Sequence, residues 1–404
     1  MITGRSIVCF SGTDWWYHNP HSRTHIMRIL ARNNNRVLFV NSLSTRLPKL
    51  TERSARASVW KKLRSYRKGA VRVEENLFVV TPLALPFYGS RAVRWLNKYL
   101  VAAQMRWCMR RFNIETPIVW LALPTALDAA RAIPHSLLLY QAADKISAYR
   151  GIDKAVITQL ELRCFKEANL VLFPGREMFG RYAHLNQRSY LLEHGVDYEH
   201  FSQAANDRTA LPEDIATISG PIVGYFGEVD YKKVDQALIR HAALARPSWS
   251  FVFIGNVSTD ISGLAGLPNV HLLGARPYQA LPAYAKAFDV CTVPWDSEDE
   301  MIRHASPIKI REYLATGRPV VATDFPEAHR FASLIGIARD RDEFVVKIEA
   351  ALGESEGLRQ QRMDAVKDDS WAKRVEEVSE RIAGSEATRT ATKAAEMTPR
   401  QQEG

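Results

Sequence analysis

The feature that most constrains the fold is an alternation of short runs of branched apolar residues with longer amphipathic segments. Such a pattern is typical of parallel strands that are joined by helices. The predicted strands of the first half are 7–10, 37–41, 77–80, 118–122, 137–140, 170–173 and 190–192. Those of the second half are 222–226, 251–254, 270–273, 290–294 and 320–323.

A polar stretch from Asp207 to Gly220, which contains Pro212, separates the two series of strands. We therefore predict an α/β protein with two doubly wound, Rossmann-like domains, residues 1–203 and 204–370, as expected for 404 residues. Ligands of such sheets lie at the carboxyl ends of the strands, which predicts a binding cleft between the domains. Residues 385–404 are small, polar and charged, and predict a disordered tail.

Composition narrows the function classes. The four cysteines stand singly, without a CxxC pair for zinc or redox exchange, which favours a reducing cytoplasm. The sequence contains no run of about 18 apolar residues, so it predicts no membrane span. The run Ile7 to Phe10 is too short for the apolar core of a signal peptide.

Positive charge is concentrated in residues 46–111, which hold sixteen Lys or Arg and three acidic residues, whereas the whole chain has a net charge of +10. This asymmetry indicates a polyanionic partner, either anionic lipid or nucleic acid. Aromatic residues interleave the charges in 60–68 and 91–98, as in helices that lie on a membrane surface. We predict binding to an anionic membrane surface rather than to nucleic acid, with a merely solvated basic face as the alternative.

The most informative segment is 306–322, SPIKIREYLATGRPVVA. Ser306 and Pro307 predict the N-cap and first residue of a short helix, and Gly317 its end. The exposed start, with Ile308, favours an anion such as a diphosphate, and Lys309 adds a full positive charge. Glu312 shares the face of Lys309, where its carboxylate can accept hydrogen bonds from ribose hydroxyls. A capped helix of any α/β protein is the alternative.

Four further residues are candidates for binding the same ligand. Gly227 and Gly255 each follow a predicted strand, and Lys232 and Lys233 come shortly after Gly227, within reach of a diphosphate. The alternative for the lysines is an ordinary solvated surface. The acidic residues Asp296, Glu298 and Asp299 are interpreted as a solvated loop rather than a metal site.

The first half offers candidates for ligand binding and for acid–base chemistry. Gly12 follows the first predicted strand and permits close approach of a ligand, and the loop after it carries Asp14, Trp15, Trp16 and His18 before a helix that Asn19 and Pro20 would cap. The two tryptophans suit either stacking on sugar rings or packing of the loop. Asp144 follows the strand 137–140 and is a candidate general base, with a helix cap as its alternative role.

These motifs resemble those of the group 1 (family 4) glycosyltransferases of the GT-B fold. Segment 306–322 is similar to the family's donor-site motif, roughly K-x-x-E-Y-L-A-x-G-x-P-V-V. In order along the chain, 191–201 resembles its "NGVD…F" connection, 224–227 its glycine turn and 269–290 its "NV…LG…PY" run. Trp371 looks like the tryptophan that opens the family's last helix, which implies that 371–384 returns to the first domain.

The resemblance implies a metal-independent glycosyltransferase without a cofactor, which takes a nucleotide-sugar donor in the second domain and an acceptor in the first. One position departs from the pattern, because His304 stands where the family carries the first of two glutamates. Retention of configuration is the family's habit, and His304 weakens that inference.

From the residues and the resemblance together, we predict hexosyl transfer to a lipid-linked or polysaccharide acceptor at the cytoplasmic face of the membrane, with Asp144, His18 and Lys309 as catalytic candidates. The alternatives are a nucleotide-sugar epimerase of the same fold and a non-catalytic nucleotide-sugar or nucleic-acid binding module.

Overall fold

The computed structural model describes residues 1–16, 19–43, 60, 64–142 and 153–397, the last nine of them as backbone alone. The chain divides into two compact units. Unit 1 comprises Met1–Glu193 and Ala372–Gly404, and unit 2 comprises His194–Trp371. The division after Glu193 lies earlier than the predicted boundary at 203, because the segment that follows it pairs within unit 2, where Val196 forms a parallel bridge with Ser370.

Fourteen strands are formed in the part of the chain that the structure describes. Those of unit 1 are β1 Ser6–Phe10, β2 Arg36–Val40, β3 Ala70–Glu74, β4 Leu77–Val80, β5 Ile118–Leu121, β6 Leu137–Gln141, β7 Leu170–Phe173 and β8 Ser189–Leu191. Those of unit 2 are β9 Ile222–Phe226, β10 Ser250–Ile254, β11 Val270–Leu272, β12 Val290–Val293, β13 Val320–Thr323 and β14 Gly336–Ala338.

The α-helices alternate with the strands. Those before residue 280 are α1 Ser22–Arg32, α2 Arg91–Arg111, α3 Leu127–Arg131, α4 Lys154–Glu167, α5 Arg176–Tyr182, α6 Tyr198–Phe201, α7 Glu213–Ala216 and α8 Gln236–Ala245. Those after it are α9 Leu281–Ala287, α10 Glu300–Arg303, α11 Ile308–Thr316, α12 Arg341–Leu352, α13 Gly357–Lys367 and α14 Trp371–Met397.

Unit 1 is built on an eight-stranded sheet in the order β3-β4-β2-β1-β5-β6-β7-β8. All its strand pairs are parallel except β3 with β4. The central strands β5, β6 and β7 are buried along their whole length, as in a sheet covered by helices on both faces. Strand β3 was not predicted, because it is a half-exposed edge strand with Arg72 pointing to solvent and a register shift at Arg72 and Glu74.

Unit 2 is built on a six-stranded, fully parallel sheet in the order β11-β10-β9-β12-β13-β14. The order reverses between β9 and β12, which is the arrangement of a doubly wound nucleotide-binding sheet. The predicted α/β class with two Rossmann-like domains is therefore confirmed. Strand β14, three residues at one edge, was not predicted.

Helix boundaries differ from the prediction at three places. Helix α1 begins at Ser22 with His21 as its N-cap, not at Asn19 and Pro20. Helix α11 begins at Ile308 with Pro307 as its N-cap, not Ser306.

The third difference is at the end of the chain, where α14 continues to Met397 although disorder was predicted from Ser385. The helix is anchored before that point by an apolar stripe at helical spacing, in which Val375, Val378 and Ile382 are fully buried. Ser385 is buried in the next turn, and Glu386 accepts a hydrogen bond from Arg5 at 2.7 Å. Among the described residues, no helix combines the length and apolar character needed to cross a membrane.

Candidate functional site

The candidate site of unit 2 lies where the sheet order reverses, at the carboxyl end of β9. Gly227 follows this strand with a φ of +143°, a conformation that side chains other than glycine rarely adopt. A Cβ at this position would lie 2.3 Å from Cε of Lys309 and 2.9 Å from the hydroxyl of Tyr225. The Lys309 side chain therefore lies directly on the Gly227 turn, and only glycine leaves room for it.

Gly255, at the end of the neighbouring strand β10, supports the same turn from the side. A Cβ at Gly255 would lie 1.8 Å from the carbonyl oxygen of Gly227. The amide of Gly227 donates to the carbonyl of Ile254 at 2.7 Å, and the amide of Gly255 donates to the carbonyl of Gly274 at 2.9 Å. Backbone packing, rather than a side chain, thus fixes the floor of the site.

Helix α11 presents its start without a side-chain cap. The Ser306 hydroxyl does not cap it, because it donates to the carboxylate of Glu327 at 3.3 Å. The first backbone N–H groups of a helix have no partner within the helix, and together with the helix dipole they favour an anion. The amino end of α11, with Ile308 first and Lys309 second, is thus suited to a diphosphate.

The helix is fixed to the end of β9 by a buried hydrogen bond. The amide of Phe226 donates to the hydroxyl oxygen of Tyr313 at 2.9 Å. The ring of Tyr225 lies 5.3 Å from the Lys309 ammonium, and the Tyr225 hydroxyl donates to the carbonyl of Glu228 at 3.0 Å. These contacts hold Lys309 on a rigid strand end and helix.

Lys309 and Glu312 are both half-buried on α11 and influence each other's charge. Burial, together with the nearby Lys233, lowers the pKa of Lys309 to about 8, while Glu312 opposes this shift. Burial raises the pKa of Glu312 to about 7, with a contribution from Asp197, while Lys309 opposes it. The pair therefore titrates near neutral pH, which is characteristic of binding and catalytic sites.

Lys233 is engaged in ion pairs, which the sequence did not indicate. Its ammonium lies 3.1 Å from the carboxylates of both Glu228 and Asp230, and these anions raise its pKa against the opposing effect of burial. The neighbouring Lys232 is 4% exposed, and its ammonium lies 5.4 Å from the ring of Tyr231. Neither lysine is an isolated charge at the protein surface.

Glu228 and Asp230 are the members of the site that sequence reasoning missed. Asp230 also accepts hydrogen bonds from the amides of Lys232 and Lys233 at 3.0 and 2.8 Å, which fixes the loop after Gly227. The available signal was their place directly after the Gly227 turn and before two adjacent lysines.

His304 ends helix α10, and its Nδ1 lies 2.9 Å from the carbonyl oxygen of Glu300. Because a carbonyl only accepts, Nδ1 carries a hydrogen in this arrangement. The position that the family fills with a glutamate thus holds an imidazole ring oriented by the preceding helix.

The acidic loop before His304 is internally bonded. Asp296 accepts from the amide of Glu298, Asp299 caps α10 by accepting from the amide of Met301, and Glu298 pairs with Arg303. Within the described ranges, no group of three or more His, Cys, Asp or Glu is placed to hold a metal ion.

In unit 1, Gly12 lies at the corresponding reversal of the first sheet, between β1 and β5, where a Cβ would lie 3.8 Å from the carbonyl oxygen of Ala122. Trp15 packs edge-on against Phe39, with ring centroids 5.0 Å apart. The Lys68 ammonium lies 3.7 Å from the ring centre of Trp16. Both tryptophans are thus engaged in contacts of the fold.

Asp14 uses both carboxylate oxygens within the loop, accepting from the amide of Trp16 at 3.0 Å and the hydroxyl of Ser65 at 3.1 Å. His18 and Asp144, two of the three predicted catalytic residues, lie outside the described residues. The structure therefore brings Gly227, Gly255, Lys233, Lys309 and Glu312 together in unit 2 and leaves the catalytic roles in unit 1 as predictions.

Comparison with known proteins shows a likeness to one family. Residues 220–354 match the family of group 1 glycosyl transferases. TuaH of Bacillus subtilis (strain 168), assigned as a glycosyltransferase of teichuronic acid biosynthesis, is 29% identical over 187 residues, 44% of this chain and 46% of TuaH. The chain thus spans about half the length of this curated relative.

Solved structures extend the likeness of fold to nearly the whole chain. Sucrose-phosphate synthase from Thermosynechococcus elongatus superimposes with a TM-score of 0.68 at 14% identity, over 96% of this chain and 100% of that one. HepE of Anabaena, in complex with UDP and glucose, superimposes with a TM-score of 0.65 at 12% identity, over 94% and 99% of the two chains. The chain is accordingly similar to the group 1 glycosyl transferases over residues 220–354, and it has the GT-B fold.

Proposed function

We propose that this protein transfers a glycosyl group from a nucleoside-diphosphate sugar to an acceptor. The observation that carries the proposal is the position of Lys309 on the Gly227 turn, at the uncapped start of α11, with Glu312 on the same helix. The family match and the nucleotide-bound structure of HepE support it. The donor is expected to bind in unit 2, with its diphosphate on α11 and its ribose on Glu312.

The proposed chemistry is electrostatic stabilisation of the leaving group. When the glycosyl bond breaks, the nucleoside diphosphate gains negative charge. The Lys309 ammonium and the first N–H groups of α11 are fixed before the reaction and lie where that charge would develop. The proposal includes independence of metal ions and retention of configuration.

The proposed acceptor is lipid-linked or a polysaccharide, bound by unit 1 at the cytoplasmic face of the membrane. Two observations support this part. TuaH is assigned to teichuronic acid biosynthesis. Residues 46–111 hold sixteen Lys or Arg against three acids, as expected for a protein that works at an anionic surface. Peripheral attachment to the inner membrane face is proposed on the same grounds.

Turnover of donors with and without membrane extract tests the function. A set of nucleoside-diphosphate sugars is incubated with the protein, and the released nucleoside diphosphate and the stereochemistry of the remaining donor are measured. A transferase releases the diphosphate only when acceptor is present. Isomerisation of free donor would instead show an epimerase, and binding without turnover under all conditions would show a non-catalytic module.

The affinity for a nucleoside diphosphate should depend on pH in both directions. Below about pH 7, Glu312 is protonated, and its carboxyl group no longer carries the negative charge that strengthens hydrogen bonds from the ribose. Above about pH 8, Lys309 loses its positive charge. Calorimetric titration across pH 6 to 9 should therefore give the tightest binding between those two values. The alkaline loss should disappear in Lys309→Ala, and the part of the acid loss due to Glu312 should disappear in Glu312→Gln. Parallel curves for the parent and both variants would contradict the assignment.

The predicted base is tested by Asp144→Asn, which keeps the shape of the side chain. If Asp144 deprotonates the acceptor in an inverting reaction, kcat should fall by about 10²-fold or more without a matching rise in the KM for donor. Asp14→Asn and His18→Ala are measured beside it as the competing candidates. Near-normal transfer by a folded Asp144→Asn would discard this base and favour retention.

A further inference from the structure

One surface of unit 1 combines exposed large apolar side chains with positive charge. Residues 76–114 contain no Asp or Glu but six Lys or Arg. The same stretch carries seven exposed large apolar side chains, which we call the apolar ridge: Leu83, Leu85, Phe87, Trp95, Leu96, Tyr99 and Trp107. A group of such residues in one region is unusual for a protein surface that faces only water.

The ridge is not the core-facing side of α2. That side is formed by another set of residues, which is buried: Asn97, Val101, Ala102, Met105, Cys108 and Met109. Trp95 and Trp107 are 63% and 56% exposed. Trp95, Tyr99 and Trp107 follow one another after four and eight residues and lie within about 120° of one another around the helix. The helix thus has two apolar faces, of which one packs on unit 1 and the other faces outward.

The loop before α2 is held alongside the helix by two amide side chains. The Gln104 amide accepts from the amide of Leu83 at 2.8 Å and donates to its carbonyl at 2.9 Å. The Asn97 amide makes the equivalent two bonds to Leu85, both 2.8 Å. Because these bonds fix the backbone, Leu83 and Leu85 are held in place next to the outward face of α2.

Cations border the aromatic rings of the ridge. The Lys98 ammonium lies 5.1 Å from the ring centre of Tyr99, and the Arg111 guanidinium lies 5.5 Å from that of Trp107. Aromatic and aliphatic residues flanked by Lys and Arg are typical of helices that lie in the interface of an anionic bilayer. A second copy of the chain would bring two basic surfaces together, and phosphate binding by nucleic acid gives no role to exposed leucines.

We propose that α2 and the loop 83–87 dock on an anionic lipid leaflet by inserting the apolar ridge among the headgroups while the flanking Lys and Arg bind them. This inference deepens the proposed function, and it rests on that function only in that the acceptor is taken to be membrane-bound. Membrane binding itself needs neither donor nor acceptor, so the two can fail independently.

Sedimentation with vesicles of phosphatidylcholine, with and without phosphatidylglycerol, tests the docking. The parent protein should bind the anionic vesicles and be released at high salt. Neutralising Arg91, Arg110 and Arg111 to Gln should weaken binding by about 100-fold, at about fivefold per charge.

The triple variant Trp95→Ser/Tyr99→Ser/Trp107→Ser keeps every charge. It should weaken binding at least about tenfold, because the apolar surface that would leave water on insertion is removed. Leu244→Ser/Val346→Ser, which removes equally exposed apolar residues from unit 2, is the matched control and should bind like the parent.

Insertion is distinguished from attraction at a distance by a probe on the ridge. The four native cysteines are buried, so Tyr99→Cys can be labelled selectively with a nitrobenzoxadiazole fluorophore, with labelled Val346→Cys as the control. Emission from position 99 should rise on anionic vesicles, and emission from position 346 should not.

Three outcomes would overturn the proposal. They are parent-like binding by the aromatic variant, unchanged emission at position 99 on bound protein, and a dimer in sedimentation velocity that the same aromatic substitutions dissociate. Failure of the proposed function is recognised separately, by the absence of glycosyl transfer or of nucleotide binding in calorimetry, with vesicle binding intact.

Discussion

Lys309→Ala is expected to lower kcat/KM for glycosyl transfer by about 10² to 10³-fold, the usual effect of removing one fixed group that stabilises transition-state charge. The structure gives two reasons for so large an effect. The ammonium lies on the Gly227 turn beside the uncapped start of α11, and it is half-buried, so water screens its charge only in part. Steady-state rates with the donor identified by turnover provide the measurement.

The matched control is Lys367→Ala, which removes an exposed lysine at the end of α13. It should leave kcat/KM unchanged, and circular dichroism of both variants checks their folding. If Lys309→Ala transfers at the parent rate while remaining folded, the diphosphate does not bind at this helix start and the donor site has been placed wrongly.

Gly255→Ala is expected to destabilise unit 2 by about 3 to 5 kcal/mol, in the range reserved for severe clashes. A Cβ at this position would lie 1.8 Å from the carbonyl oxygen of Gly227, and a backbone atom cannot turn away as a flexible side chain can. To relieve this clash, the ends of β9 and β10 would have to separate. That separation would also displace the turn under Lys309. Both the urea midpoint of unit 2 and the affinity for nucleoside diphosphate should therefore fall.

Gly357→Ala is the control within the same unit. It stands at the first position of α13, where the nearest atom to a new Cβ is the Ser355 hydroxyl at 3.8 Å, and it should change the midpoint little. Equal midpoints for the two alanine variants would show that the close contact between the glycine turns does not contribute to stability.

The sequence predicted most of both sheets because buried parallel strands are runs of branched apolar residues. Strands β9 and β13 were predicted with their observed bounds, since Ile222–Phe226 and Val320–Thr323 are buried at every residue. Strand β3 was missed because its residues are half-exposed and include Arg72, and composition then resembles that of a loop. The end of α14 was missed because the sequence from Ser385 on is small, polar and charged, and the buried apolar stripe of the helix ends at Ile382.

For the candidate site, local spacing was sufficient to place Lys309 and Glu312 on one helix. It could not show the bond between Phe226 and Tyr313, which are 87 positions apart in the chain. Nor could it show that Lys233 is neutralised by Glu228 and Asp230, since that depends on the path of the loop after Gly227. Pairings of this kind arise from tertiary structure and leave no periodic signal.

The return of α14 to unit 1 has a consequence for how the protein is made. The chain leaves unit 1 after Glu193 and comes back to it at Ala372, so a ribosome completes all of unit 2 before it has made the last helix of unit 1. Arg5 is made before any part of unit 2, yet its partner Glu386 is made only after all of unit 2. Tyr190 is likewise made before unit 2, whereas Arg381, whose guanidinium lies 4.5 Å from the ring centre of Tyr190, is made after it. Unit 2 can therefore mature on the nascent chain, whereas unit 1 reaches its final form only after translation has passed residue 386, and a ribosome stalled before that point would carry one finished unit and one unfinished one.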